Sequence, residues 1–320
     1  MRAQQDHDAK HHDIMRTFEN EGKAVRVITP KGKEKSMYRS KTYSYDYDEY
    51  EAGKCSKTMV EDILADPELP ELEEIVIGSW GDSWEGSAQD MLDAMVEHKE
   101  KFSHIKSLFV GDMDYEECEV SWIIQGNYEK LLAAMPQLEK LVIKGSTDLV
   151  LGKIELENLQ SLEIICGGLP VEVMQSVRDA KLPALKSLKL YIGIEDYGFD
   201  GSIEDIQDLL EKSDFPKLES LGICDSEVQD EITEAVLATD YMKQISRLEL
   251  SMGSLTDKGG QMLLEQLPKH SNIQELDVHY HFLSDDMMKK LEALPITVDV
   301  DDQNEPEDDG ELYYWPMLTE

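Results

Sequence analysis

Four carboxylates are crowded into one short stretch of the chain, at Asp112, Asp114, Glu116 and Glu117. Oxygen ligands of this type suit a hard cation such as Ca²⁺, and carboxyl groups can also act as general acids and bases. Their spacing differs from that of an EF-hand loop, and no histidine or lysine lies beside them in the sequence. We therefore expect a solvated loop whose acids precede a helix N-terminus, with a cation site as the alternative.

Histidines occur in two groups that could bind a transition metal. His279 and His281 are two residues apart, so on a strand they would share one face. A third ligand is not evident near them, although zinc sites need at least three protein ligands. His7, His11 and His12 lie in a polar segment at the start of the chain. We predict no metal site at either place.

Motifs of several large enzyme classes are missing from the chain. It contains no P-loop, no dinucleotide-binding glycine fingerprint, no G-x-S-x-G and no H-E-x-x-H. We therefore expect a protein that is not an enzyme, has no catalytic residues and needs no cofactor. An enzyme or metal protein built on Asp112, Glu116 and Glu117 is the alternative.

One six-residue phrase, Leu/Ile-x-x-Leu/Ile-x-Leu/Ile/Val, recurs eight times between Leu72 and Val278. Successive copies start 21 to 33 residues apart, with an average of about 29, which falls in the range of leucine-rich repeats. On a strand the last two apolar positions point inward and the residues between them point outward. Helical spacing fills most intervals, but the short interval from Leu138 to Leu159 favours an extended return. The sequence thus predicts an α/β leucine-rich-repeat solenoid, a horseshoe with about eight parallel strands and outer helices.

The chain divides by composition into four segments. Residues 1–40 form a polar, basic N-terminal arm, residues 41–70 a segment that caps the open first repeat, and residues 71–300 the solenoid. Residues 301–320 combine an acidic linker, expected to be disordered over 301–310, with an aromatic tail. The tail, Leu312 to Leu318, either folds back to cap the last repeat, docks on a partner or is disordered.

The outward positions of the strands form a candidate binding face. Val76, Phe109 and Val142 align as an apolar column, and Tyr191 and His279 follow further along. Apolar residues that align on a surface indicate a binding patch, although a covering N-terminal cap would bury them instead. Loops after the first two strands would add a rim to this face, formed by Trp80, Asp82, Asp112, Glu116 and Glu117.

Two stretches, Leu248 to Gly259 and Leu276 to Asp285, resemble the ribonuclease-inhibitor type of leucine-rich repeat, with its L-x-L-x-x-N-x-L-T-D-x-G pattern. Both depart from it at the asparagine, which is Gly253 or His281 here, so regular stacking is in doubt. The run from Gly111 to Ile123, with shorter motifs elsewhere, is similar to a family of uncharacterised bacterial leucine-rich-repeat proteins. That resemblance covers roughly residue 70 onward and implies the repeat fold and a bacterial cytosolic setting, but no activity.

The net charge of the chain limits the kinds of partner that it can bind. The net charge is −37, and the last 25 residues hold nine acids and no base. Such a field repels nucleic acid and anionic lipid and attracts basic proteins. No apolar run near the start resembles a signal peptide, so we expect a cytoplasmic protein. We predict a non-enzymatic module that binds a protein on its concave sheet and strand-end loops, with an acidic, antitoxin-like inhibitor of a basic enzyme as the alternative.

Overall fold

In a computed structural model of the chain, the structure describes residues 38–308 and 310–318. Ten parallel strands follow one another through a single sheet, in the order of the sequence. A two-stranded antiparallel hairpin follows this sheet. The strands are β1 Ser40–Tyr43, β2 Glu74–Ile77, β3 Ser107–Val110, β4 Lys140–Lys144, β5 Ser161–Ile165, β6 Ser187–Gly193, β7 Ser220–Ser226, β8 Arg247–Glu249, β9 Glu275–Asp277, β10 Thr297–Asp299, β11 Glu307–Asp308 and β12 Leu312–Tyr313.

Helices connect most successive strands and lie on the face of the sheet opposite to the concave face. Three of them have N-cap residues of the types that favour this position, namely Ser202, Thr256 and Ser284. The helices are α1 Tyr47–Glu51, α2 Ser56–Ala65, α3 Gln89–Glu97, α4 Glu129–Ala134, α5 Val171–Arg178, α6 Ile203–Lys212, α7 Gln229–Ala238, α8 Asp257–Gln266 and α9 Asp285–Glu292. No helix lies between β4 and β5, as the short interval predicts.

The repeated phrase builds the core. Its last apolar residue is fully buried in all eight copies, and neighbouring strands pair these residues in register, for example Ile77 with Val110 and Leu190 with Ile223. The predicted α/β leucine-rich-repeat-like solenoid is confirmed. It has two more parallel strands than the eight phrases because β1 and β10 extend the sheet at its two ends without a complete phrase.

The chain lacks the asparagine that joins successive turns in the ribonuclease-inhibitor type of repeat. Side-chain amides at another position join successive repeats instead. Gln137, Gln244 and Asn272, each just before a phrase, donate to two carbonyls of the preceding repeat at 2.6–3.1 Å. At the asparagine position itself, His281 is buried and lies 2.9 Å from the Val300 carbonyl oxygen through Nε2. Because buried backbone carbonyls need partners, these side chains maintain the regular stacking that the missing asparagine had placed in doubt.

The ends of the solenoid differ in part from expectation. Most of the predicted basic arm, with His7, His11 and His12, lies outside the described residues. In the predicted capping segment, β1 continues the sheet and α2 buries Met59, Val60 and Ile63. Residues 301–308, expected to be disordered, pack on the last repeat: the Gln303 amide donates to the Leu283 carbonyl at 2.8 Å. In the part of the chain that the structure describes, no helix has both the length and the apolar character to cross a membrane.

Candidate functional site

The register of the sheet defines three rows of side chains on its concave face. The middle row takes one residue from each of the strands β2 to β10 and changes character along the solenoid. It is apolar on β2 to β4 and charged from β5 onward, except for one glycine on β7. The row reads Val76, Phe109, Val142, Glu163, Lys189, Gly222, Glu249, Asp277 and Asp299.

The apolar column is less exposed than the sequence predicts. Val76 and Val142 are 9% and 4% exposed, so the expectation that both present an open surface is wrong. Phe109, between them, is only partly buried. Phe109 is therefore the member of this column that a partner can contact most extensively.

The predicted rim also needs correction. Trp80 is fully buried in the core, and its indole Nε1–H donates to the Gly86 carbonyl at 2.8 Å. It positions the loop after β2 and cannot contact a partner directly. Asp82 in the same loop is partly buried, and burial raises the pKa of its carboxyl group. The adjoining loops do touch, since the Ser83 hydroxyl lies 3.3 Å from the Met113 sulfur.

The acidic loop after β3 is ordered by its own carboxylates. Asp114 and Glu117 each accept the other's backbone N–H, at 3.0 and 2.9 Å, while Glu116 is exposed. The sequence shows no lysine beside these acids, but Lys144 of the next repeat approaches them. Burial lowers the pKa of its amine, and Asp112 and Asp114 partly offset that effect. The loop is thus a carboxylate cluster with a neighbouring cation rather than an isolated cation site.

Tyr191 and His279, which lie three repeats apart, are connected by a partly buried ion-pair network. The Lys189 ammonium group forms an ion pair with Glu249 and lies 4.9 Å from the centre of the Tyr191 ring. Lys189 is on β6 and Glu249 on β8, so the lysine must cross β7. Gly222 allows this crossing, because a Cβ atom there would lie only 3.0 Å from Lys189 Cγ.

Burial shapes the ionisation of this network. It opposes the charged form of Lys189, but neighbouring groups including Glu249 outweigh it, so the pKa of the amine is raised and the lysine stays charged. Glu163, next to Lys189 in the row, has its pKa raised by burial, and Lys189 partly offsets that rise. The row therefore holds a positive charge between two carboxyl groups.

His279, two residues after the end of β9, completes the network. Its Nδ1 lies 2.6 Å from Asp277 Oδ1; burial lowers the pKa of the imidazole, but the bond to Asp277 outweighs this and raises it. Ligand atoms of Glu249, Asp277 and His279 lie within 4.8 Å of one another, which suits a metal ion. However, Lys189 and Arg247 already pair with these carboxylates. His281 does not join this cluster, because both of its ring nitrogens contact backbone atoms.

Tyr191 and His279 were predicted from the sequence as members of the binding face. The four charged residues between them were not predicted as site residues: Glu163, Lys189, Glu249 and Asp277. All four are at outward positions under the same alternation that identified the apolar column. They do not stand out by residue type, as aromatic and imidazole groups do. Their signal is the alternation of charge among equivalent outward positions of successive repeats, which are about 20–33 residues apart in the sequence.

Comparisons with known proteins agree with this architecture. No protein-family model matches the chain, and no curated protein is significantly similar to it. A Bacteroides fragilis protein, whose crystal structure was determined as a structural genomics target, is 41% identical over 88% of this chain and 77% of its own, with a TM-score of 0.81. The chain therefore belongs to the same protein family as this Bacteroides fragilis protein.

Proposed function

We propose that the protein is a non-enzymatic interaction module of the bacterial cytoplasm, built from ribonuclease-inhibitor-like leucine-rich repeats. It binds a protein along its concave sheet and the neighbouring strand-end loops. The observation that carries this proposal is the middle row, which runs without a break from the apolar column around Phe109 to the ion-pair network around Lys189. Such a surface offers an apolar anchor and fixed charges to the same extended partner.

The two parts of the row would contribute differently to binding. A central aromatic side chain in an enclosed patch commonly contributes most of the affinity, about 2 kcal/mol or more on truncation. Charged groups set orientation and association rate more than affinity. Phe109 is thus the proposed anchor, and Glu163, Lys189 and Asp277 the proposed determinants of register.

The net charge of −37 favours a basic partner and disfavours nucleic acid and anionic lipid. It also supports the alternative function, an acidic inhibitor that masks a basic enzyme. Salt distinguishes the two, because interactions between exposed charges weaken over a Debye length of about 8 Å at physiological ionic strength. A complex of the inhibitor type should dissociate as salt rises, whereas one anchored on Phe109 should persist.

The test compares Phe109→Ala with Tyr47→Ala, a matched loss of an aromatic ring that is 67% exposed and lies on α1 rather than on a strand of the sheet. Both variants and the wild type are used to capture proteins from the native host, with quantitative mass spectrometry of what is retained. We expect Phe109→Ala to lose a partner that Tyr47→Ala keeps, with an unchanged melting temperature. Equal retention by both variants would rule out Phe109 as the anchor.

A further inference from the structure

A second apolar cluster lies on the concave side, separate from the main core. Its buried members are Tyr191, Cys224 and Met252, and Ile165 and Tyr280 pack against them. These residues come from strands β5 to β7 and from the loops after β8 and β9. Met317 and Leu318, at the end of the aromatic tail, complete the cluster. The tail thus folds back over the last phrase repeat, where the Tyr314 and Phe282 rings lie 5.1 Å apart and the Tyr280 hydroxyl donates to the Trp315 carbonyl at 3.3 Å. It then continues to the second cluster, which Met317 and Leu318 reach.

Two backbone hydrogen bonds hold the tail in this place. The Met317 N–H donates to the Met252 carbonyl at 2.9 Å, and the Leu318 N–H donates to Asp225 Oδ1 at 2.8 Å. Asp225 is fully buried, and its other oxygen, Oδ2, has no hydrogen-bond partner among the residues that the structure describes. Its φ of +57° lies in the left-handed region, which aspartate tolerates better than most residues. Asp225 is therefore a preformed acceptor aimed at a peptide backbone.

The tail is bound in the way a short peptide is bound. Leu312, Tyr313 and Trp315 are 55%, 43% and 44% exposed, so these three large side chains contribute little to the fold, whereas Tyr314, Met317 and Leu318 are partly buried. Pro316 is buried and restricts Trp315 to extended conformations, which presents the next two residues in line. Removing Met317 and Leu318 would uncover Tyr191 and Cys224.

We propose that this socket, formed by Ile165, Tyr191, Cys224, Asp225, Met252 and Tyr280, is a peptide-binding site for which the tail is an intramolecular ligand. Its partner ligand is an extended segment with two adjacent, flexible apolar side chains, of the Met-Leu type, that displaces the tail. This inference rests on the proposed function and adds the chemistry of the partner. The socket adjoins the ion-pair network through Tyr191, so one partner can engage both.

Specificity follows from the two acceptors. Asp225 and the Met252 carbonyl accept N–H groups from consecutive residues, so proline at the position of Leu318 removes a donor while keeping an apolar side chain. A buried acceptor left without its donor is costly. The tail also competes in cis with an effective concentration in the millimolar range, the value typical of short flexible links. The full chain should therefore bind a free peptide weakly until its tail is released.

The experiment uses the full chain and a fluorescent peptide with the sequence of residues 310–320, GELYYWPMLTE. The tail is released by Met317→Asp with Leu318→Asp, and independently by Leu318→Pro, which alters the fold least. Anisotropy should show the peptide binding at least tenfold more tightly to each released variant than to the wild type. A peptide with proline in place of the leucine that corresponds to Leu318 should bind at least tenfold more weakly than the parent peptide.

Alkylation of Cys224 by iodoacetamide, followed by mass spectrometry, shows whether the socket is covered or open. We expect protection in the wild type, reaction in the released variants, and protection again when the peptide is added. Peptide binding no tighter to the released variants, or Cys224 equally protected in all forms, would overturn the proposal. Partner capture that still depends on Phe109 in that case would leave the proposed function standing, since Phe109 is outside the socket.

Discussion

Lys189 is the residue whose removal should disturb the candidate site most. Its side chain is 22% exposed and that of its partner Glu249 only 7%, and Glu163 faces it from the neighbouring strand. Deleting one partner of a fully buried pair costs about 3–5 kcal/mol. Solvent screening at the partly exposed lysine reduces this, so we expect Lys189→Met to lower the free energy of unfolding by about 2–3 kcal/mol at pH 7.

Urea denaturation followed by circular dichroism measures this loss. The matched control is Lys212→Met, which removes a lysine paired with Asp208 where the two side chains are 58% and 42% exposed. Such exposed pairs contribute about 0.3–0.5 kcal/mol, so the control should unfold almost as the wild type does. Adding Glu249→Gln to Lys189→Met should restore about 1 kcal/mol or more, because the two residues are directly coupled.

The pH dependence of the variant gives a second check. Burial already raises the pKa of Glu163, and Lys189 partly offsets that rise, so removing the lysine should raise it further. A carboxyl group whose pKa is higher in the folded state favours folding at low pH, and that contribution is lost as pH rises through the raised pKa. The deficit of Lys189→Met should therefore shrink between pH 7 and pH 5. A deficit equal to that of Lys212→Met, or one that is constant with pH, would refute this account of the network.

Two further predictions concern the core and the tail. Leu221→Ala, at a fully buried phrase position, should cost about 2–5 kcal/mol and increase amide hydrogen exchange in the adjoining repeats; a change confined to one repeat would contradict nearest-neighbour coupling. Asp225 accepts the Leu318 N–H of the tail, so Asp225→Ala should release the tail and increase the alkylation of Cys224 in the folded chain. Alkylation equal to that of the wild type would contradict this role of Asp225 in tail docking.

The fold was predictable because its determinants are local and repeated. The phrase alternates with the period of a strand, and the N-caps Ser202, Thr256 and Ser284 follow from local hydrogen-bonding preferences. Tyr43, Tyr45 and Tyr47 alternate with polar residues between Lys41 and Tyr50, which predicts one strand there, whereas the structure forms a strand to Tyr43 and then α1. Pairing with β2 decides that boundary, and this pairing is not visible in the local sequence.

The candidate site was less predictable because its contacts join residues from different repeats. Trp80 was assigned to the surface because it is aromatic and follows a phrase directly. The burial of a loop residue, however, depends on how the next repeat covers the loop. Lys144 approaches the acids after β3 only because β3 and β4 pair in one register. Neither relation follows from spacing within a single repeat.

The contacts between repeats also explain how the binding face can be specific. In a solenoid, one outward position per repeat forms a row, so a partner meets residues far apart in sequence but adjacent in space. Gly222 shows how such a row is tuned: the absence of a side chain on β7 lets Lys189 reach Glu249 on β8. Substitution of Gly222 by a larger residue would act on the ion-pair network without changing any charge. Specificity on this face is therefore encoded in the order of residues across the repeats, including the places where a side chain is missing.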